Sequence, residues 1–119
     1  MEANRMILRA TALCLTLALA LPALASSGSI AAGKKKAQAT CAACHGADGN
    51  KTLDGTYPKL AGQYPEYLAK ALHEYKSGKR KNAVMSGQAQ ALSEKEIADL
   101  SAYYGSLTPQ IHDLSGHAR

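Results

Sequence analysis

The chain has 119 residues, a formal net charge of +5 at neutral pH, six tyrosines, and neither tryptophan nor phenylalanine. This length suits one small domain rather than several. A small domain with so few large aromatic side chains has a thin core of its own, so we expect another group to supply apolar bulk. The basic balance alone would suit a nucleic-acid partner, but no nucleic-acid-binding motif accompanies it, and we expect no such partner.

Residues 1–25 have the features of an export signal. Arg5 and Arg9 give a basic start, residues 10–25 are rich in alanine and leucine, and the run ends in Ala23-Leu24-Ala25. A signal peptidase needs small residues at such positions. We therefore predict a Sec-type signal peptide, cleaved after Ala25, and a periplasmic location without stable membrane insertion. A retained membrane anchor is the alternative, although the apolar run is shorter than the about 20 residues of a membrane span.

The chain after the signal shows helical patterns and no alternation typical of strands, which predicts an all-α fold. Residues 26–32 are rich in serine, glycine and alanine and predict a flexible leader. The first main helix is predicted to begin near Gly33 and to end at His45, because Gly46 favours a helix end. The domain is predicted to span residues 33–107, followed by a loose tail at residues 108–119.

Two further helices have boundaries that are visible in the sequence. The second is predicted to begin at Pro65 and to end before Gly78, because proline favours a first turn and glycine the position after a helix. Ser93 and Glu96 have the spacing of a capping box, which predicts the start of the third helix, and Pro109 limits its end. The apolar faces expected to be buried are Tyr64, Leu68, Leu72 and Tyr75 on the second helix, and Ile97, Leu100, Tyr104 and Leu107 on the third.

One motif carries chemistry. The segment Cys41-Ala42-Ala43-Cys44-His45 has the form C-x-x-C-H, which is the pattern of covalent haem attachment. Residues i and i+3 share a helix face, so Cys41 and Cys44 can both form thioether bonds to the vinyl groups at one edge of a porphyrin. His45 then directs its imidazole at the iron, and histidine is a proximal haem ligand in several protein classes. The motif predicts one covalently bound haem c.

Three alternative roles for the two cysteines remain open. A thiol–disulfide exchange protein of the thioredoxin type needs a βαβ context, which this sequence does not show. A zinc site needs a fourth ligand, and no second C-x-x-C is present. A simple disulfide is common in exported proteins. The adjacent histidine and the export signal favour haem over all three.

The iron would also need a second axial ligand or an open position. Met85 is the methionine that follows the export signal, and it lies within residues 79–92, which are predicted to be a loop with one short helical turn. A gap-filling core methionine is the alternative. After a C-x-x-C-H motif, we interpret Met85 as the second axial ligand, which raises the reduction potential and closes the iron to substrates. His73, His112 and His117 are interpreted as surface residues.

These segments resemble class I cytochrome c, and they are most similar to one half of the periplasmic two-haem cytochromes called c-four. The likeness covers about residues 33–107 and depends on the segments at 41–46, 57–62, 78–87 and 99–103. The chain departs from the two-haem pattern in having a single C-x-x-C-H. The resemblance implies the all-α cytochrome c fold, with three main helices wrapped around one covalent haem.

The resemblance also implies roles for individual residues. The first and last helices would cross, with the small residues Gly33 and Ala37 against Leu100 and Tyr103 or Tyr104. The backbone carbonyl of Pro58 would accept a hydrogen bond from His45, and Arg80 or Tyr64 would reach a haem propionate.

The motif and the resemblance together imply an electron carrier that is not an enzyme. It would exchange single electrons with redox partner proteins such as a respiratory complex, an oxidase or a dehydrogenase. Lys79, Arg80 and Lys81 would steer an acidic partner to the haem edge in transient encounters, although an ordinary solvated basic loop is the alternative. Two further functions remain open: a haem subunit of a larger periplasmic dehydrogenase complex, and a haem enzyme or sensor with an open sixth iron position.

Overall fold

The computed structural model describes residues 27–110, and every regular element in this range is an α-helix. The helices are α1 (Ile30–Thr40), α2 (Ala42–His45), α3 (Pro65–Lys76), α4 (Ala83–Gln90) and α5 (Glu94–Ser106). The predicted all-α class is confirmed. Within residues 27–110, no helix is long and apolar enough to cross a bilayer. The predicted signal peptide lies outside the described residues, as do His112 and His117.

Helix α1 begins at Ile30 rather than at Gly33. The Ser29 side chain accepts a hydrogen bond from the backbone N–H of Ala32, and serine is a favoured residue at this capping position. The backbone N–H of Ser29 also donates to a carboxylate oxygen of Asp99 at 2.7 Å, which fixes the cap against α5. Residues 30–32 are therefore helical, and the prediction of a leader extending to residue 32 is wrong.

Helices α1 and α5 cross in close contact at Gly33. A Cβ atom built on Gly33 would lie 2.0 Å from the backbone oxygen of Asp99, so no side chain fits between the helices here. Ala37, one turn further along α1, is 2% exposed. The side chains of Lys36 and Glu96 form an ion pair of 2.9 Å across the same crossing. The crossing implied by the resemblance is present.

Helix α5 supplies most of the core. The core consists of Ala37, Leu68, Leu92, Ile97, Leu100, Tyr103 and Tyr104, with Leu72 and Leu107 packed at its edge. The predicted buried face of the third predicted helix, which is α5, is confirmed. On the second predicted helix, which is α3, the prediction fails at Tyr64, which is 76% exposed. Tyr64 is the N-cap of α3 and has a non-helical backbone, with φ −59° and ψ 126°, so its side chain does not follow the helical period.

Residues 79–92 are mainly helical, and their prediction as a loop is wrong. The side chain of Asn82 accepts a hydrogen bond from the backbone N–H of Met85 at 2.9 Å and caps α4. Asparagine is among the strongest capping residues, so a local signal for this helix was present in the sequence. Helix α4 packs against α3, and this contact positions the turn that carries Met85.

Residues 108–110 are held in place rather than loose. The side-chain amide of Asn50 donates to the carbonyl of Thr108 at 3.1 Å, and its oxygen accepts from the backbone N–H of Gln110 at 2.7 Å. The ring of Pro109 covers Gly62, whose φ of +72° suits glycine. The predicted tail therefore does not begin at residue 108, and its remainder lies outside the described residues.

Candidate haem-binding site

A cavity of about 610 Å³ opens between α2, α3, α4 and α5, and residues 56–63 close one side of it. Cys41, Cys44, His45 and Met85 all line this cavity. The volume lies within the roughly 300–1,000 Å³ typical of cofactor pockets. The fold therefore brings together the C-x-x-C-H motif and a methionine that is distant in the sequence.

Cys41 lies between two helices instead of inside one. Its backbone N–H donates to the carbonyl of Ala37 at 2.8 Å and ends α1, while its carbonyl accepts from the backbone N–H of His45 at 3.0 Å within α2. The predicted continuous helix up to His45 is thus interrupted at Cys41. The thiols of Cys41 and Cys44 are both half-buried and are not joined to each other in a disulfide. Both cysteines still face one cavity, because α2 completes the turn between them.

His45 is buried and oriented by a single hydrogen bond. Its Nδ1 lies 2.9 Å from the carbonyl oxygen of Pro58, and the residue is 6% exposed. A carbonyl can only accept, so Nδ1 carries the hydrogen and the lone pair lies on Nε2. Nε2 is then the nitrogen that can bind a metal, with its ring held by the backbone. This is the hydrogen bond that the resemblance implied.

The loop that carries Pro58 is itself anchored. The carbonyl of Gly49 accepts hydrogen bonds from the backbone N–H groups of Leu60 at 2.9 Å and Ala61 at 3.1 Å. The ring of Tyr57 meets His45 edge-on, with 6.2 Å between the ring centroids. Tyr57 was not predicted as a site residue, since nothing in its local sequence distinguishes it from a surface tyrosine.

Met85 lies in the first turn of α4 and is half-buried. Asn82, which caps this helix, lines the cavity beside it. Because the Asn82 cap sets where α4 begins, it also sets the backbone position from which the Met85 side chain extends. Val84, the preceding residue, also lines the cavity but is 58% exposed, which places it near the cavity mouth.

Arg80 lines the cavity and is held by three side chains. Its Nε lies 3.4 Å from a carboxylate oxygen of Glu74. Its guanidinium carbon lies 5.7 Å from the ring centroid of Tyr67 and 5.4 Å from that of Tyr75, which are cation–π distances. Hydrogen bonding to Tyr67 and then to Tyr75 raises the pKa of Arg80 above its ordinary value. The guanidinium is therefore a fixed positive charge in the cavity wall.

Other predicted residues lie away from the cavity. Tyr64 does not line it and points to solvent. Lys79 and Lys81 are exposed, and the ammonium of Lys79 lies 3.8 Å from Glu74, the carboxylate that also holds Arg80. The structure thus brings Arg80 to the cavity but does not bring Tyr64 there.

Two buried hydroxyl groups in the cavity wall have no hydrogen-bond partner within residues 27–110, namely Ser101 Oγ and Tyr104 Oη. Both residues are 3% exposed. An unsatisfied buried hydroxyl costs about 1–3 kcal/mol, so these atoms fit a site that is filled in the working protein. The remaining wall is largely apolar, with Leu68, Leu72 and Leu92 among its side chains. A porphyrin, which is mostly apolar, fits this lining. The sequence patterns did not identify Ser101 or Tyr104 as site residues.

The described residues do not form a metal site made of protein side chains alone. Residues 27–110 contain no group of three or more histidine, cysteine and acidic side chains that could hold an ion.

Comparisons with known proteins agree with this geometry. Residues 30–108 match the family described as Cytochrome c. Cytochrome c-554(548) of Halomonas halodenitrificans is 46% identical over 83 residues, which are 67% of this chain and 98% of that protein. Cytochrome c4 of Pseudomonas aeruginosa is 48% identical over 93 residues, which are 77% of this chain and 45% of that protein.

A solved structure gives the same result for the fold. Reduced recombinant cytochrome c4 from Pseudomonas stutzeri superposes with a TM-score of 0.65 at 38% identity, over 71% of this chain and 48% of that one. The chain thus spans about half the length of the cytochromes c4 that it matches, and nearly the whole length of cytochrome c-554(548). From the motif, the cavity and these matches it follows that the chain belongs to the cytochrome c family, and its cofactor is covalent haem c.

Proposed function

We propose that this chain is an electron-transfer protein that carries one haem c, attached through Cys41 and Cys44, with His45 and Met85 as the axial ligands of the iron. One observation carries the proposal: both thiols, the oriented imidazole and the Met85 side chain line the same cavity. The haem supplies a one-electron couple when bound. Substrate turnover is not part of the proposal, because a ligand on each face of the iron leaves no open position.

The residues around the site restrict movement of the two ligand side chains when the charge of the iron changes. The Pro58 carbonyl holds the His45 ring in one orientation and makes the ring a better donor to a metal. The Asn82 cap holds the turn that carries Met85. A site whose ligands keep their positions in both oxidation states needs little rearrangement, which is what fast electron transfer requires.

We assign Arg80 a contact with a haem propionate. A guanidinium has five N–H donors, and here Nε faces Glu74 while Nη2 lies 3.5 Å from the hydroxyl of Tyr67. The other N–H groups remain for an anion inside the cavity. Tyr64 has no part in this contact, because it lies outside the cavity and is exposed.

The location and the partners belong to the same proposal. Residues 1–25 support export to the periplasm. We place the domain at about residues 30–108, slightly wider than the predicted 33–107, because α1 begins at Ile30. Transient redox partners with acidic surfaces would meet Lys79 and Lys81, whereas Arg80 is engaged by Glu74 and adds less to such a surface.

One observation favours a second candidate, a haem subunit of a larger dehydrogenase complex. Val84 and Tyr67 line the cavity and are 58% and 45% exposed, so an apolar patch lies at the cavity mouth. A stable partner would cover such a patch. Size-exclusion chromatography of the protein from its native host separates the candidates, since a free carrier elutes at its own mass and a subunit elutes with a larger polypeptide.

The proposal is tested by absorption spectra in both redox states and by the intact mass of the protein, produced in a host with a haem-ligation system. We expect the mass of the processed polypeptide plus one haem, colour that survives acid–acetone extraction, and a weak near-infrared band of sulfur ligation in the oxidised form. A colourless product with the bare polypeptide mass would contradict haem attachment. Rapid carbon monoxide binding to the reduced form would contradict Met85 ligation and favour a haem enzyme or sensor.

A further inference from the structure

Tyr103 and Tyr104 are neighbours on α5, but their hydroxyl groups have different surroundings. The hydroxyl of Tyr103 donates to the carbonyl of Ala47 at 3.2 Å. The hydroxyl of Tyr104 has no partner within residues 27–110, although the residue is 3% exposed and lines the haem cavity. Leaving a buried hydroxyl unpaired is costly, so we expect it to find an acceptor in the filled cavity.

Cys41 lines the same cavity as Tyr104 and packs against the core cluster that includes Tyr104. Burial, the largest cause, and the Cys41 side chain, the second, raise the pKa of Tyr104 far above its ordinary value. The phenol therefore keeps its proton and remains a donor. The hydroxyl of Thr40 also lies 3.4 Å from the Cys41 sulfur, on the exposed side of that residue.

The chemistry of Cys41 changes when haem is attached. A thiol can donate or accept, whereas a thioether sulfur has no hydrogen and can only accept. Attachment therefore leaves Cys41 able only to accept, in a cavity wall that also holds a buried hydroxyl without an acceptor within residues 27–110. The propionates do not compete for this hydroxyl, because they lie at the porphyrin edge opposite the vinyl groups that the cysteines bind.

We propose that Tyr104 is a positioning residue, whose phenolic O–H donates a hydrogen bond to the thioether sulfur of Cys41 and thereby holds the attached edge of the haem against α5. The inference rests on the proposed haem attachment. The proposed hydrogen bond would also affect the reduction potential, because the positive end of the O–H dipole would point toward the macrocycle. A positive dipole end favours the redox state with less positive charge, which is the reduced state.

The substitution Tyr104→Phe tests the inference, with Tyr103→Phe as the matched control. Each variant loses one hydroxyl from α5 and keeps the aromatic ring. We expect the reduction potential of Tyr104→Phe to fall below that of the parent, and that of Tyr103→Phe to stay at the parent value. Equal potentials for Tyr104→Phe and the parent would overturn the inference.

Proton NMR of the reduced protein gives an independent readout. We expect a slowly exchanging hydroxyl resonance of Tyr104 with a nuclear Overhauser contact to the β-protons of Cys41, absent in Tyr104→Phe. A hydroxyl that contacts only exchanging water would overturn the inference in favour of a buried water between Tyr104 and Ser101.

The substitution Ser101→Ala separates these two arrangements. A direct bond to sulfur predicts that Ser101→Ala leaves both the Tyr104 resonance and its contact to Cys41 unchanged. A bridging water predicts that Ser101→Ala disturbs both. A failure of this inference is also distinguishable from a failure of the proposed function, because the first occurs in a red, haem-loaded protein and the second in a colourless one.

Discussion

At the scale of single residues, the site depends on side chains that are each fixed by a small number of contacts. The Pro58 carbonyl selects the tautomer of His45, and the Asn82 side chain fixes the turn that carries Met85. Glu74 and two tyrosines hold Arg80 in the wall. Because each donor is held by contacts within the polypeptide, its movement is restricted in the haem-loaded protein.

Replacement of Met85 by alanine tests the second axial ligand. We expect Met85→Ala to keep its covalent haem, to lose the near-infrared band of the oxidised form, and to bind carbon monoxide rapidly when reduced. Its reduction potential should fall, because a thioether opposite histidine raises it. Absorption spectroscopy and potentiometric titration measure these changes.

The neighbouring Val84→Ala is the matched control for this variant. Val84 lies in the same turn of α4 and at the cavity mouth, but it has no ligand atom. It should retain the near-infrared band and the slow carbon monoxide reaction of the parent. A band of parent intensity in Met85→Ala would show that another group binds the iron.

At the scale of elements, the contact between α1 and α5 is decided by the absence of a side chain at Gly33. Polar contacts reinforce it at both ends, through Ser29 with Asp99 and Lys36 with Glu96. Since α1 leads directly into the turn that carries Cys41 and Cys44, this crossing also sets where the attachment residues lie. The stability of the crossing and the placement of the cofactor are therefore linked.

A methyl group at Gly33 should force the two helices apart. Its Cβ would lie 2.0 Å from Asp99 O and 2.7 Å from the Tyr103 Cβ. We expect Gly33→Ala to lower the free energy of unfolding by about 1–3 kcal/mol, as overpacking commonly does. Denaturant titration of the haem-loaded protein measures this loss.

Gly87 is the matched control, because an added methyl group has space there. It lies inside α4, and a Cβ built on it meets no atom within 4 Å. Gly87→Ala should therefore raise the free energy of unfolding by about 0.5–1 kcal/mol, since alanine favours a helix over glycine. Equal stability of Gly33→Ala and the parent would contradict the close crossing.

The start of α5 gives the molecule an acid-sensitive contribution to stability. The Ser93 backbone N–H, then the ammonium of Lys36, lower the pKa of Glu96 from its ordinary 4.5 to about 2. A carboxylate with a lowered folded-state pKa contributes stability that is complete above its unfolded pKa and is lost as the pH falls through the folded pKa. This contribution should therefore disappear between about pH 4.5 and pH 2.

The substitution Glu96→Gln isolates this charge, because glutamine can still complete a capping box with Ser93. We expect its free energy of unfolding to fall less between pH 4.5 and pH 2 than that of the parent. Glu66→Gln, at an exposed position in the first turn of α3, is the control and should follow the parent. Parallel pH profiles for Glu96→Gln and the parent would refute the assignment.

At the scale of the whole molecule, the cavity is large relative to the core that surrounds it. Only Ile97 is both large and less than 2% exposed among the described residues. Apolar side chains around the cavity of about 610 Å³ face this space instead of packing against one another. A typical domain is stable by only about 5–15 kcal/mol, so the missing packing is large on that scale. We therefore expect the fold to depend on an occupant of the cavity.

We expect a haem-free double variant, Cys41→Ala with Cys44→Ala, to lack the cooperative thermal transition of the haem-loaded parent. Circular dichroism during heating is the measurement. The unaltered polypeptide, made without a haem-ligation system, controls for the loss of the cysteines and should behave like the double variant. A transition in the haem-free forms that matches the haem-loaded parent would contradict the requirement for an occupant.

Features that depend on neighbouring residues could be predicted from the amino-acid sequence. The C-x-x-C-H motif identified the cofactor, the Ser93 and Glu96 pair located the start of α5, and Pro65 located the start of α3. Each of these signals acts within about one helical turn, so a linear pattern suffices to read it. The resemblance added the Pro58 contact, which spacing alone does not predict.

Other features depend on contacts between distant segments and become visible only in the folded chain. Asp99 fixes the cap of α1 from far along the chain, packing on α3 places the Met85 turn, and Glu74 with two tyrosines takes hold of Arg80. Tyr103 and Tyr104 are identical and adjacent in the sequence, yet one hydroxyl finds the Ala47 carbonyl and the other faces the cavity. Burial and hydrogen-bond partners are properties of the assembled helices, so identical residues acquire different surroundings there.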